Sequence, residues 1–293
     1  MEKIIRDKKA ILIFVLPGLL FYFFIIIMPI FRSFYYSLLG WNGINKAAFI
    51  GLGNFFSLIT DVNKNVYPSV GHSLVLAALS VFIQLPISLV LALLLNGGVK
   101  GEKFFRTVYF IPVIISTVII GELWKKIYHP TYGILNVLLG AMGLDSLAQE
   151  WLGSTNTALF AAFIPMIWQY IGYHMLLMYT AAKAISRDIY EAARVDGASD
   201  FAISLRITIP QMLPMIKACI IFAIIGSLKS FDLIYILTKG GPMGATEVPS
   251  TLMYNEIFTR YAYGYGSAIA VFIVFECLFF TVLVQNIFPK DLD

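Results

Sequence analysis

Charge is scarce in this chain. Asp, Glu, Lys and Arg make up 13% of its 293 residues, about half the roughly 25% usual in soluble domains, which excludes an ordinary water-soluble globule. Cysteine is nearly missing: Cys219 and Cys277 both fall inside apolar runs with no CxxC spacing, so they read as small buried filler and not as a disulfide or thiol-metal framework. His72, His129 and His174 are scattered, with no metal-ligand spacing to cysteines or carboxylates. The sequence has no GxxxxGKS/T phosphate loop, so any nucleotide hydrolysis must come from another chain. Single serines inside apolar helices usually bond their own backbone, which leaves no hydrolase constellation to propose. The net charge of +4 is spread over loops, and no basic run is long enough for a nucleic-acid arm. Repeats of 20 to 50 residues and low-complexity tracts are lacking too.

What is present is long apolar sequence, with 59% of residues hydrophobic. Crossing a hydrocarbon core of about 30 Å takes roughly 20 apolar residues in a helix, because lipid offers unpaired backbone groups no partner. Six segments satisfy this, at about 10–31, 70–96, 104–125, 157–181, 213–237 and 264–288. The expectation is an all-α membrane protein with six transmembrane helices, forming a single transmembrane domain over 1–293. The first segment follows Lys3, Arg6, Lys8 and Lys9 as a signal peptide would. Its apolar run exceeds the roughly 7–15 residues of a signal h-region and lacks a small-x-small cleavage site, so it is read as a retained helix. Lys and Arg concentrate in the amino-terminal tail, in 97–106 (Lys100, Lys103, Arg106) and in 182–212 (Lys183, Arg187, Arg194, Arg206). The alternate connections hold fewer, so the positive-inside rule places both termini in the cytoplasm. The outer connections are long and rich in Gly, Asn, Tyr and Thr, which leaves room for something to dock there.

One cytoplasmic stretch is polar and locally ordered. Residues 184–212 read as two short amphipathic helices. Ser186 is an N-cap with Asp188 in the first turn, and Ile185, Ile189, Ala192 and Ala193 share a face. Asp196 and Gly197 break the run, Gly accepting a left-handed backbone. Ser199 and Asp200 start the second helix, Phe201, Leu205 and Thr208 share a stripe, and Pro210 and Pro214 end it. Alanines at the centre present little bulk, which suits a partner's groove. An elbow lying on anionic lipid is the alternative, but Asp188, Glu191, Asp196 and Asp200 balance the basic residues, and a protein partner is favoured.

Two membrane helices carry polar faces. In the fourth, Gln169, Tyr170, Tyr173 and His174 fall on one side at 100° per residue, a face that avoids lipid. Hydroxylated aromatic rings suit sugars, which offer apolar C–H faces and hydroxyls, while the same groups can also glue helices together. In the fifth, Lys229 and Asp232 stand three apart. An unpaired charge at mid-bilayer costs about 2.5–3.5 kcal/mol, so these two are expected to form a structural or gating pair, with sugar contact the lesser reading. Glu122 and Glu276 are expected to face the bundle.

"EAARVDGA" (191–198) followed by "ITIP" (207–210) resembles the EAA loop of bacterial ABC-importer permeases. Glu191, Ala192, Ala193, Asp196, Gly197, Ala198 and Pro210 all stand at the family's spacing. "LLFYFFIIIMPIFRSFYYSLLGW" (19–41), "FIGLGNF" (49–55), "FFRTVYFIPVIIS" (104–116), "SFDLIYILTKGGP" (230–242) and "YGYGSAIAVFIV" (263–274) narrow the likeness to carbohydrate-uptake permeases of the maltose and glycerol-phosphate kind. The resemblance covers nearly the whole chain and implies the type I importer fold, carried over for the six-helix core alone because the extra amino-terminal helices of some members have no counterpart here. It implies that Glu191, Ala192, Ala193, Asp196, Gly197 and Ala198 dock on an ATP-hydrolysing subunit, and that Ser227 and Ser230 join Tyr170 and Tyr173 along the substrate path. It further implies a second, related permease, two ATPase subunits holding ATP and Mg, and an extracellular or periplasmic sugar-binding protein touching the loop after Gly241, including Thr246 to Tyr254. This chain itself is expected to bind no cofactor and no metal, to catalyse no reaction, and to sit in the bacterial cytoplasmic (inner) membrane. The rival reading is an ion-coupled secondary carrier that works without ATPases through Lys229, Asp232, Glu122 and Glu276.

Overall fold

A computed structural model describes residues 8–61 and 65–288, with no side-chain account of 8–11. Lys3 and Arg6, used above for orientation, lie outside the described residues, as do the side chains of Lys8 and Lys9. The chain divides into two compact units: Met1–Lys64 with Met253–Phe272, and Asn65–Leu252 with Ile273–Asp293.

In the first unit, helix α1 (Leu12–Ser37) is long and apolar enough to span a membrane. Its apolar side chains, such as Phe14, Phe21 and Phe31, are exposed, as lipid contact requires. A two-residue antiparallel ribbon follows, Leu39–Gly40 (β1) with Ala48–Phe49 (β2), and then helix α2 (Gly53–Thr60). Buried Asn54 Nδ2 donates to the carbonyls of Ser37 (2.8 Å) and Leu39 (2.9 Å), giving the end of α1 and β1 the partners they would otherwise lack.

The second unit holds α3 (Val66–Asn96), α4 (Glu102–Ile114), α5 (Thr117–Ile127), α6 (Ile134–Ala141), α7 (Ala158–Lys183), α8 (Arg187–Val195) and α9 (Asp200–Ile203). After α9 the chain continues as a π turn, Ser204–Thr208, and one last turn, Ile209–Gln211. Then come α10 (Leu213–Leu228), α11 (Asp232–Thr238) and α12 (Pro249–Tyr254). The last helix, α13 (Tyr263–Ile287), begins in the first unit and ends in the second.

Five helices, α1, α3, α7, α10–α11 and α13, are long and apolar enough to cross a membrane, and a sixth span arises if α4 and α5 are taken together. The third expected span is therefore not one helix: α4 and α5 are bent by 96°. Pro112 lies inside α4, and Ile115 (ψ 138°) and Ser116 (ψ 133°) leave the helical region. The run from Val113 to Ile120 is dominated by β-branched side chains, which hold a helix weakly. The fifth span is interrupted as well, between Leu228 and Asp232. Lys229 (φ −95°, ψ 11°) and Phe231 (φ −137°, ψ −61°) depart from helix there, and Asp232 starts the next helix where its charge meets the positive end of the dipole.

Three of the four π turns among the described residues, Phe23–Ile27, Ser80–Gln84 and Ser204–Thr208, end two residues before a proline, namely Pro29, Pro86 and Pro210; the fourth, Asn255–Thr259, does not. Proline brings no N–H and its ring crowds the carbonyl one turn back; a locally widened turn accommodates both. The close crossing of α4 and α7 rests on Gly172, where a Cβ would lie 1.9 Å from the Tyr109 carbonyl oxygen. Ser88 on α3 reaches the Ile171 carbonyl on α7 at 3.0 Å. One apolar core joins Leu85, Ala92 and Leu95 of α3 to Met175, Met178 and Ala182 of α7 and to Cys219 and Ala223 of α10.

Candidate functional site

Where α3, α5, α7, α10 and α11 meet, the second unit forms an open cavity of about 430 Å³. The π turn of α3 gives it Ser80 and Gln84, and α7 gives Gln169, Tyr170, Tyr173 and His174. Thr117 enters from the start of α5, and Lys229, Ser230 and Phe231 come from the break between α10 and α11. Both helix interruptions thus sit on the cavity wall. They expose polar side chains there and free backbone groups from the ladder, a feature that membrane helices tolerate beside an internal cavity and not beside lipid.

Tyr170, Tyr173, Ser227 and Ser230, the residues assigned above to a substrate path, all line this one cavity. Their roles differ. Tyr170 (43% exposed) and Tyr173 (36%) present open rings. Ser227 is buried, its hydroxyl 3.0 Å from Ser80 Oγ and donating to the Ala223 carbonyl at 2.8 Å, so it ties α10 to α3. Ser230 is buried, and its hydroxyl lies 4.0 Å from Met166 Sδ, a weak acceptor. Gln169 and His174 are buried, and among the described residues Gln169 Oε1 and His174 Nδ1 find no hydrogen-bond partner.

The expected Lys229–Asp232 pair is not formed. Among the described residues no ion pair joins the two, and both side chains are exposed on the cavity wall. The expectation assumed a continuous helix with side chains three apart on neighbouring turns; the break at Lys229–Phe231 removes that spacing. Glu122 does not face the bundle either: its side chain is 57% exposed and pairs with Lys125 at 2.8 Å. Glu276 is buried, as expected.

The elbow matches its sequence reading closely. Ser186 Oγ accepts from the Asp188 N–H, and Ser199 Oγ accepts from the Ala202 N–H. Gly197 has φ +79°. The Ala198 N–H bonds the Ala193 carbonyl and the Gly197 N–H that of Arg194, the paired closure in which a glycine just beyond the helix takes the left-handed conformation. Arg194 and Asp200 approach to 3.5 Å across the turn, both exposed, a contact of small energetic weight. Glu191, Ala192, Asp196 and Gly197 are exposed and Ala198 is partly so. Ala193 instead turns inward and is buried, so the exposed centre has one alanine fewer than expected. Val195 (87% exposed), Phe201 (77%) and Leu205 (54%) leave the elbow with an uncovered apolar face.

The stretch from Thr246, expected to touch a binding protein, is buried through Leu252. Thr246 Oγ1 donates to the Gly241 carbonyl and Thr251 Oγ1 accepts from the Val248 N–H, so this segment closes on itself. Met243 stands out at 95% exposure. Sequence reasoning missed Ser80 and Gln84. Pro86 two residues on was the available sign of a disturbed helix.

Residues 84–292 match the family described as binding-protein-dependent transport system inner membrane component. A probable ABC transporter permease protein, YurN of Bacillus subtilis, is 37% identical over 286 residues, covering 97% of each chain. The trehalose/maltose transport system permease protein MalF of Thermococcus litoralis is 33% identical over 98% of this chain and 96% of its own. A solved bacterial ABC transporter involved in the import of the acidic polysaccharide alginate contains a chain that superposes with a TM-score of 0.84 at 23% identity, covering 98% and 96%; at that identity the likeness speaks to the fold, the type I importer arrangement. This chain therefore belongs to the family of binding-protein-dependent transport system inner membrane components.

Proposed function

We propose that this chain is the permease subunit of an ATP-driven importer of sugars or oligosaccharides. It forms the translocation path with a second, related permease and takes its driving force from two ATPase subunits, which hold ATP and Mg. One observation carries this reading. The elbow is inserted directly between α7 and α10, and both helices also wall the cavity, so a force applied to the elbow acts on the helices that hold the site. The cavity's chemistry agrees with a sugar, since Tyr170 and Tyr173 offer faces for C–H stacking while Gln169, His174, Lys229 and Asp232 offer donors and acceptors for hydroxyls.

In this reading Glu191, Ala192, Ala193, Asp196, Gly197 and Ala198 seat the ATPase subunit, with Val195, Phe201 and Leu205 supplying the apolar contact. ATP binding closes the ATPase pair, drives the elbow and turns the bundle from inward-facing to outward-facing, an alternating access worked by rigid-body motion. A sugar-binding protein outside delivers ligand. The chain sits in the bacterial cytoplasmic (inner) membrane with both termini in the cytoplasm. The relatives named above are ABC permeases, which disfavours the ion-coupled carrier. Reconstitution with and without co-purified ATPase subunits tests the proposal: sugar uptake should require both the subunits and ATP, and uptake by this chain alone would overturn it.

A further inference from the structure

Tyr190 stands at a junction of four chain segments. Its hydroxyl lies 3.3 Å from Asn96 Nδ2, at the inner end of α3. It donates to the Ala182 carbonyl, in the last turn of α7, at 3.4 Å. Thr208 Oγ1, in the π turn of the elbow's second arm, is 3.3 Å away, and Tyr190 itself belongs to the first arm, α8. One side-chain oxygen thus joins both arms of the elbow to the ends of two spans. Thr208 is 2% exposed, so the junction is shielded on that side. Leu95, Ala182 and Met212 form apolar core beside it.

Apolar contacts resist separation but set orientation weakly; hydrogen bonds of fixed direction set it strongly. The link from α7 into the elbow, Ala184–Ser186, and the turn that leaves α3, Gly97–Gly101, are short non-helical segments that could swivel. We propose that the Tyr190 hydroxyl is the joint that makes the elbow and the inner ends of α3 and α7 turn as one body. It is a positioning residue for transport that touches neither sugar nor ATP. The inference rests on the importer reading above and adds to it which atom passes the motion on.

The test uses the assembled complex with its ATPase subunits and binding protein in lipid nanodiscs, with Cys219 and Cys277 replaced by Ala. Spin labels at Arg187→Cys and Leu94→Cys report the distance between α8 and the inner end of α3. In the parent that distance should hold when ATP and vanadate are added. In Tyr190→Phe, which loses one oxygen, the ATPase subunits should still co-purify while the distance shifts or broadens with nucleotide, and ATP-driven uptake should fall about tenfold, the scale of one partly buried hydrogen bond left unmade. Thr208→Ser should behave as the parent and Thr208→Val as Tyr190→Phe.

A distance in Tyr190→Phe that holds as in the parent would overturn the joint, as would a Thr208→Val variant indistinguishable from the parent. Loss of the ATPase subunits from Tyr190→Phe would place the hydroxyl in docking and overturn it too. A parent that never binds the ATPase subunits would instead sink the importer reading, a separate failure.

Discussion

Lys229 and Asp232 lie on one cavity wall without bonding each other, and at the scale of single residues this arrangement has consequences. Two charges that form no ion pair couple only through the field between them, more weakly than a pair in contact. The effects of Lys229→Met and Asp232→Asn on thermal stability in detergent should therefore depart from additivity by less than about 1 kcal/mol. A double variant markedly more stable than the sum of the two would restore the ion pair. Tyr173, with its ring open to the cavity, should matter to ligand and not to assembly. Tyr173→Ala should weaken sugar-stimulated ATPase activity while the subunits stay together. An unchanged response would make Tyr173 a packing residue. Ser227 belongs to the opposite class, because its hydroxyl is engaged with Ser80 and Ala223.

At the scale of elements, the elbow and the α4–α7 crossing make separate demands. Gly197 closes α8 in a left-handed conformation, and Pro there would fix φ near −65°. Gly197→Pro should thus abolish ATPase association while leaving the protein inserted and abundant on an immunoblot of membranes. Gly172 lets α7 meet the backbone of α4, and a Cβ there would strike Tyr109. Gly172→Ala should destabilise the fold by about 1–3 kcal/mol, seen as a lower Tm, and an unshifted Tm would mean the crossing relaxes freely.

Much of this was legible in the sequence. An apolar run long enough to span is a property of composition, so the spans could be counted; capping residues and a glycine at a turn act over a few positions, so the elbow could be read from Ser186, Gly197 and Ser199. The breaks at Ile115–Ser116 and Lys229–Phe231 were harder to read, because the sequence on either side is apolar enough to pass as one span; Pro112 and the β-branched run after it, and the polar Lys229, Ser230 and Asp232, were the available signs. That is why the Lys229–Asp232 pair was expected and not found. Thr246 to Leu252 likewise looks like polar loop, and its burial arises from partners far away in sequence, such as His72, whose ring meets the Glu247 carbonyl.

At the scale of the whole molecule, the chain order places a handle between two walls of a cavity, so that one segment from Ala158 to Leu228 holds both. The measurement that tests this most directly follows a cysteine at Ser230→Cys in the reconstituted complex, probed from outside with a membrane-impermeant thiol reagent. Labelling should rise when ATP is added with the ATPase subunits present, and should stay low when Glu191→Lys is introduced into the elbow. Labelling that ATP leaves unchanged, or that rises equally in Glu191→Lys, would contradict the claim that force on the elbow opens the cavity.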